Sequence, residues 1–313
     1  MNSLRIHQRL LIFLLLVLAL ACVISPWLAL GADWFAARWP GLLPERIQFS
    51  RVFNRAFMIA GFILFIPFRR QILPAQLKNL LTPGARVAAR NLLTGMGLAV
   101  GSITFLVVVM AVSNVFTLFF RLSLEAALAQ CTGALAAGIF AGSLEEIFFR
   151  GILLVGLREN GGPVRAYLLA NLFYSAIHFV KPGNPYFLDG LSPLAGFRHL
   201  LTTFEPFLDP LPILPGIFGL FLIGVVLSYA LVKTGNLYLS IGLHAGWVFG
   251  LKTIRVFGDF QRQDLGWLFG STDPKIVSGV ITWLGIILVG VAISRLIRAD
   301  SQLESGRPPA TVA

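Results

Sequence analysis

Two adjacent carboxylates and a guanidinium interrupt an apolar run at Gly142-Ser-Leu-Glu-Glu-Ile-Phe-Phe-Arg150. Glu146 and Arg150 are four residues apart, so on a helix they share a face and pair, with the acid towards the N-terminus, the better orientation. Glu145 is rotated by about 100° from Glu146. Arg150 cannot easily neutralise both, which leaves one carboxylate for chemistry. A second polar set, Asn171, Tyr174, Ser175 and His178, falls at i, i+3, i+4 and i+7 and makes one polar face on an apolar helix. In a third stretch, Ser240 and His244 share a face, while Gly242 and Gly246 form a GxxxG pair on a different face and allow close helix approach. Each stretch also has an architectural reading: an ion pair that locks helix packing, or an imidazole held in an interhelical hydrogen bond. The other two histidines, His7 and His199, lie outside the apolar runs and are read as bland.

A glutamate and two histidines can hydrolyse an acyl bond. The carboxylate deprotonates a water, one His holds and polarises it, and the other donates to the oxyanion as a carbonyl is attacked. The alternative is metal: Glu146, His178 and His244 match a catalytic zinc set with an open fourth position. The helical zinc signature HExxH is absent, and metal-free hydrolysis is the favoured reading.

These residues need helices in a membrane to position them. The AVILMFWYC set makes up 57% of the 313 residues and charged residues only 12%, against about 45–50% and about 25% in soluble domains. Mean hydropathy is +0.81. This excludes a soluble globular enzyme, a disordered chain and a fibrous one, and long unbroken apolar runs argue against a transmembrane barrel. The composition predicts an all-α, polytopic bundle of about eight spans. They run Leu10–Leu30, Val52–Phe68, Leu92–Phe120, Ala126–Leu157, Val164–Val180, Leu211–Val232, Leu237–Leu251 and Ile276–Leu296. The first run is too long for a signal peptide and is read as an anchor. Cys22 and Cys131 both lie in apolar runs and are read as small buried hydrophobes.

The net charge of +11 follows from topology. With eight spans and the N-terminus inside, the inner side carries 13 basic and three acidic residues, the outer side 11 and nine. That asymmetry predicts N-in and C-in and accounts for the basic balance without nucleic acid. Arg69–Arg90, with five basic and no acidic residues, is the strongest marker. One integral domain is expected over residues 1–298, with a protease-like core at about 126–252. Gly31–Arg51 is expected at the outer interface, Lys181–Pro210 as an outer-face cap or partly re-entrant segment, and Ala299–Ala313 as a disordered polar tail. Counting rise per residue from the inner helix ends puts Glu145 about 18 Å deep, His178 about 21 Å and His244 about 10–16 Å, so the three can reach one layer.

This constellation resembles the CPBP family, the CaaX protease and bacteriocin-processing (abortive-infection-like) membrane proteins. Members carry Glu-Glu-x-x-x-Arg, then Phe-x-x-x-His, then His-x-x-x-Asn or Asp on separate membrane helices. Here the first motif is intact as Glu145, Glu146 and Arg150. The second reads Tyr174 to His178, and the third His244 with Val248 in place of the amide or acid. The matched region, Gly142 to Phe249, is roughly a third of the chain. The resemblance implies an intramembrane glutamate-type endopeptidase with no cofactor, its expected compartment a bacterial inner membrane. Its substrate would be a membrane-embedded or lipidated peptide, its surroundings the lipid bilayer. By position, Glu145 would be the general base, His178 its partner on the water and His244 an oxyanion donor. Glu146 and Arg150 would position the site. Val248 removes a second oxyanion donor, for which Asn171, Ser175 or a backbone group would have to substitute. Two other readings are a non-catalytic scaffold or bacteriocin-immunity protein on the same fold, and a transporter or proton relay. The absence of visible repeat halves weighs against the last.

Overall fold

The computed structural model describes residues 4–42, 44, 46–182, 186–262, 264–270 and 276–296. The tail Ala299–Ala313 lies outside them. The chain divides into two compact units, Met1–Leu73 with Ala176–Ile213, and Pro74–Ser175 with Leu214–Ala313.

The first unit is built on a hairpin of α1 (Ile6–Arg38) and α2 (Phe49–Ile72). Its helices are antiparallel, because Arg9 near the start of α1 donates to the Gln71 carbonyl near the end of α2. Small side chains bring the two together: Ala21, Cys22, Ala56 and Ala60 are fully buried in one cluster with Phe49 and Phe53. The first apolar run ends at Leu30, but the helix continues two turns further, to Arg38, since nothing between Gly31 and Arg38 breaks it. Pro26 sits inside α1 and Pro67 inside α2, as membrane helices tolerate. The segment expected as a cap contributes a short helix, α8 (Ala195–Thr202), which packs on α1 where Gly196 lies against the backbone of Cys22.

The second unit contains α3 (Leu77–Leu81), α4 (Ala85–Val112), β1 (Phe116–Leu118), α5 (Leu124–Glu146), a π-helical segment Ile147–Leu154, α6 (Val155–Gly161) and most of α7 (Pro163–Ile177). It continues through α9 (Leu214–Thr234), α10 (Tyr238–Thr253), β2 (Gly258–Phe260), α11 (Gly266–Phe269) and α12 (Val280–Leu296). α10 is the centre, buried along most of its length between α4 and α5. Glycines make that possible. A Cβ on Gly242 would collide with the Leu92 carbonyl of α4, and one on Gly138 of α5 would come within 2.7 Å of the Ala245 carbonyl. The GxxxG face therefore packs on α4 and leaves His244 to face α5, as the spacing predicts.

Each of the eight expected spans contains a helix. Five helices are long and apolar enough to cross a membrane by length and composition: α1, α2, α4, the continuous Leu124–Glu159 and α9. α12, at 17 residues, is a shorter apolar helix, and α7 and α10 have 15 and 16 residues, below the roughly 20 that span a bilayer untilted. The third span does not reach Phe120. α4 ends at Val112, Asn114 turns with φ of 55°, and Phe116–Leu118 pairs antiparallel with Gly258–Phe260. The aromatic and β-branched residues that look membrane-spanning in sequence suit a strand once a partner strand is at hand. The fourth span is one continuous helix to Gly161, but it switches to π winding immediately after Glu146.

Candidate active site

The two carboxylates sit where α5 passes into the π segment. Such wide turns inside helices recur at functional sites. Glu146 ends the α-helical part, and Arg150 lies in the π segment one turn on. Arg150 Nη1 donates to Glu146 Oε1 at 2.8 Å, and both side chains are buried. Arg150 also donates through Nη2 to the Gly224 carbonyl of α9 at 3.2 Å, and its guanidinium lies 4.4 Å from the centre of the Tyr174 ring. The arginine is thus held by charge, by backbone and by a π face.

α10 brings His244 to the same place. Its Nδ1 lies 2.8 Å from Glu146 Oε1, and its Nε2 lies 3.7 Å from Glu145 Oε2. The imidazole therefore stands between the two carboxylates, which are separated from it by about a hundred residues of chain. Glu146 Oε1 can only accept, so Nδ1 carries the proton and the tautomer is set. The carboxylates differ in access. Glu146 is fully buried, whereas the Glu145 side chain is 35% exposed. A group that meets substrate needs that access, and the fully buried one is committed to the ion pair.

The polar stripe on α7 is divided. Tyr174 faces Arg150 and lies 6.3 Å, ring to ring, from His244. Asn171 turns to α9, where its Oδ1 accepts from Ser228 at 2.9 Å. Ser175 donates to the Leu172 carbonyl of its own helix at 2.9 Å. Asn171 Oδ1 and Ser175 thus tie α7 to α9 and to itself, while the donor of Asn171, Nδ2, is buried with no hydrogen-bond partner among the described residues. Val248 itself is half-buried, one turn beyond His244. His178 leaves the stripe: the helix ends at Ile177, His178 is exposed in the following turn, and it belongs to the first unit. The helical spacing that placed it on the polar face does not extend past the helix end.

In the alternative zinc set, Glu146 Oε1 is shared by Arg150 and His244, and no three His, Cys, Asp or Glu side chains are grouped for an ion among the described residues. Two contributors carried no sequence signal. Gly224 takes part through its carbonyl, which any residue has. Ser228 takes part only because α9 runs beside Asn171.

No curated protein and no solved structure matches the chain. Residues 127–250 match the family model described as "Type II CAAX prenyl endopeptidase Rce1-like". The matched stretch, about two fifths of the chain, contains Glu145, Glu146, Arg150, Tyr174, His178 and His244, and over it the chain is similar to the CPBP/CaaX protease family.

Proposed function

We propose that the protein is an intramembrane endopeptidase in which Glu145 activates a water to cleave a peptide bond of a membrane-embedded or lipidated peptide. The observation that carries this reading is the His244 ring set between buried Glu146 and half-exposed Glu145. In the proposed reaction Glu145 removes a proton from water and the hydroxide oxygen adds to the peptide carbonyl carbon. His244 Nδ1–H is spent on Glu146, so Nε2 can donate to the tetrahedral oxyanion only as imidazolium. With Arg150 and two carboxylates around it, that form brings the four-group cluster to zero net charge. Collapse of the intermediate passes the proton from Glu145 to the departing amine nitrogen, releasing a new carboxylate and a new amino terminus. No metal enters: recruiting Glu146 as a ligand would break a buried ion pair, a loss of about 3–5 kcal/mol. The proposed setting is a bacterial inner membrane with both termini inside.

The test compares new peptide termini across the membrane proteome of the native host expressing wild type or Glu145→Ala at matched levels. Termini found only with wild type are expected. Identical termini would transfer the reading to a non-catalytic scaffold or bacteriocin-immunity protein on the same fold. Val248, standing where the family has a second donor, is the observation that favours this second reading.

A further inference from the structure

We propose that the second unit holds a bilayer phospholipid by one acyl chain, in a cavity between α4, α9, α10 and α12, with the lipid ester carbonyl at Thr282. This is independent of the peptidase reading, since none of the residues lining the cavity belongs to the carboxylate cluster. The cavity has a volume of about 290 Å³, near the lower end of pockets that hold small molecules, roughly 300–1,000 Å³. Its walls are apolar apart from two hydroxyl groups and the indole N–H of Trp247. Ser102 is already committed, donating to the Ala99 carbonyl at 2.7 Å and accepting from Trp247 Nε1 at 3.1 Å. Thr282 is not. Its hydroxyl oxygen is buried and has no hydrogen-bond partner among the described residues. Thr104, Thr132 and Thr253 each donate to the carbonyl four residues earlier in their helices, and Thr282 departs from that habit. A buried hydroxyl left unpaired is unfavourable, and an acceptor brought by a ligand would satisfy it.

The position of that hydroxyl selects the ligand. Thr282 lies in the first turn of α12, at the helix end, while the apolar wall continues through Gly285 to Leu288, about 9 Å further along the axis. One acceptor at the end of a membrane helix followed by a hydrocarbon path is the order of groups in a phospholipid, ester first and chain beyond. A peptide segment would bring several N–H and C=O groups, for which this cavity has a single partner. The rim residues Phe105, Leu284 and Leu288 are exposed on α4 and α12, so the cavity opens to the surface these helices present to hydrocarbon. Gly285 leaves the path clear, because a Cβ there would meet nothing within 4 Å.

The full chain is reconstituted in phosphatidylethanolamine–phosphatidylglycerol vesicles containing a phosphatidylethanolamine tracer with a mid-chain diazirine. It is irradiated, and adducts are mapped by mass spectrometry. Adducts are expected on Phe105, Trp247 and Leu288. Gly285→Leu, which fills the cavity from an unobstructed position, is expected to lose the Trp247 adduct while keeping those at the outward-facing Phe62 and Leu93. Thr282→Val, nearly isosteric, is expected to weaken the Trp247 adduct alone and serves if Gly285→Leu fails to fold. The proposal is overturned if Trp247 labels equally in wild type and both variants. It is also overturned if a lipidated peptide displaces the label and excess phospholipid does not, for the occupant would then be a substrate's tail.

Discussion

Glu146 Oε1 accepts from two donors at 2.8 Å, Arg150 Nη1 and His244 Nδ1, with both carboxylate and guanidinium shut away from solvent. Removing the acid leaves the arginine buried without its counter-charge. Glu146→Ala is therefore expected to destabilise the protein by about 3–5 kcal/mol, read as a large fall in Tm in detergent or nanodiscs. Glu145 is half-exposed and makes its contact to His244 beyond hydrogen-bond range. Glu145→Gln is expected to keep Tm near wild type and to abolish peptide cleavage. Equal Tm losses in the two variants would remove the distinction between a positioning and a reacting carboxylate. Val248 offers a test in the direction of gain. Losing one oxyanion donor costs about 10²–10³ in rate, so Val248→Asn is expected to raise kcat with KM little changed. No rise in kcat would count against His244 and position 248 facing the oxyanion together.

At the scale of elements, the seam between α4 and α10 sets the register of His244. Gly242 lies so close to Leu92 that any side chain there must separate the helices. Gly242→Val is expected to cost at least about 1–3 kcal/mol, the usual penalty of overpacking. It is also expected to speed hydrogen exchange in α10, whereas Gly97→Ala, which meets open space, is expected to leave exchange unchanged. The spacing of Gly242 and Gly246 makes this packing face legible in the sequence. The π segment is not legible, since Ile147–Leu154 reads as an ordinary apolar helical run. Nor is the β1–β2 pair, whose strands lie far apart in sequence and are recognisable only in each other's presence.

At the scale of the molecule, each unit has its own sensitivity. In the first, His199 is buried against Phe49, Phe53 and Tyr186, with its Nδ1 3.1 Å from the Tyr186 hydroxyl. The sequence places His199 outside the apolar runs and does not show this burial, which depends on α1 and α2 rather than on its neighbours in sequence. Burial holds the His199 imidazole below its ordinary value, and burial pushes the Tyr186 hydroxyl up to about 12, so Tyr186 stays neutral. An unfolded His199 binds its proton more readily than the folded one. The stability it contributes is thus present above the ordinary histidine range and lost as pH falls below it. Protection factors of the Ala195–Thr202 amides, taken against the intrinsic exchange rate at each pH, are expected to be lower at pH 5 than at pH 7.5, and His199→Phe is expected to remove the difference. Topology has its own test, in a chain whose Cys22 and Cys131 are replaced by Ala. An impermeant maleimide added to intact cells is expected to label Glu205→Cys and to spare Lys78→Cys, both of these positions being exposed.

The sequence by itself determined that this chain folds as apolar helices of membrane-spanning type, that Glu146 pairs with Arg150, and that Gly242 and Gly246 form a packing face. Each of these rests on composition or on spacing within one helix, where neighbours three or four residues apart must meet. Only the tertiary structure decided that His244 stands between Glu146 and Glu145, that Asn171 turns to Ser228, and that His178 lies beyond its helix. Which of two adjacent carboxylates is buried depends on what the rest of the chain brings against it. That is settled by packing between helices about a hundred residues apart, and no local pattern encodes it.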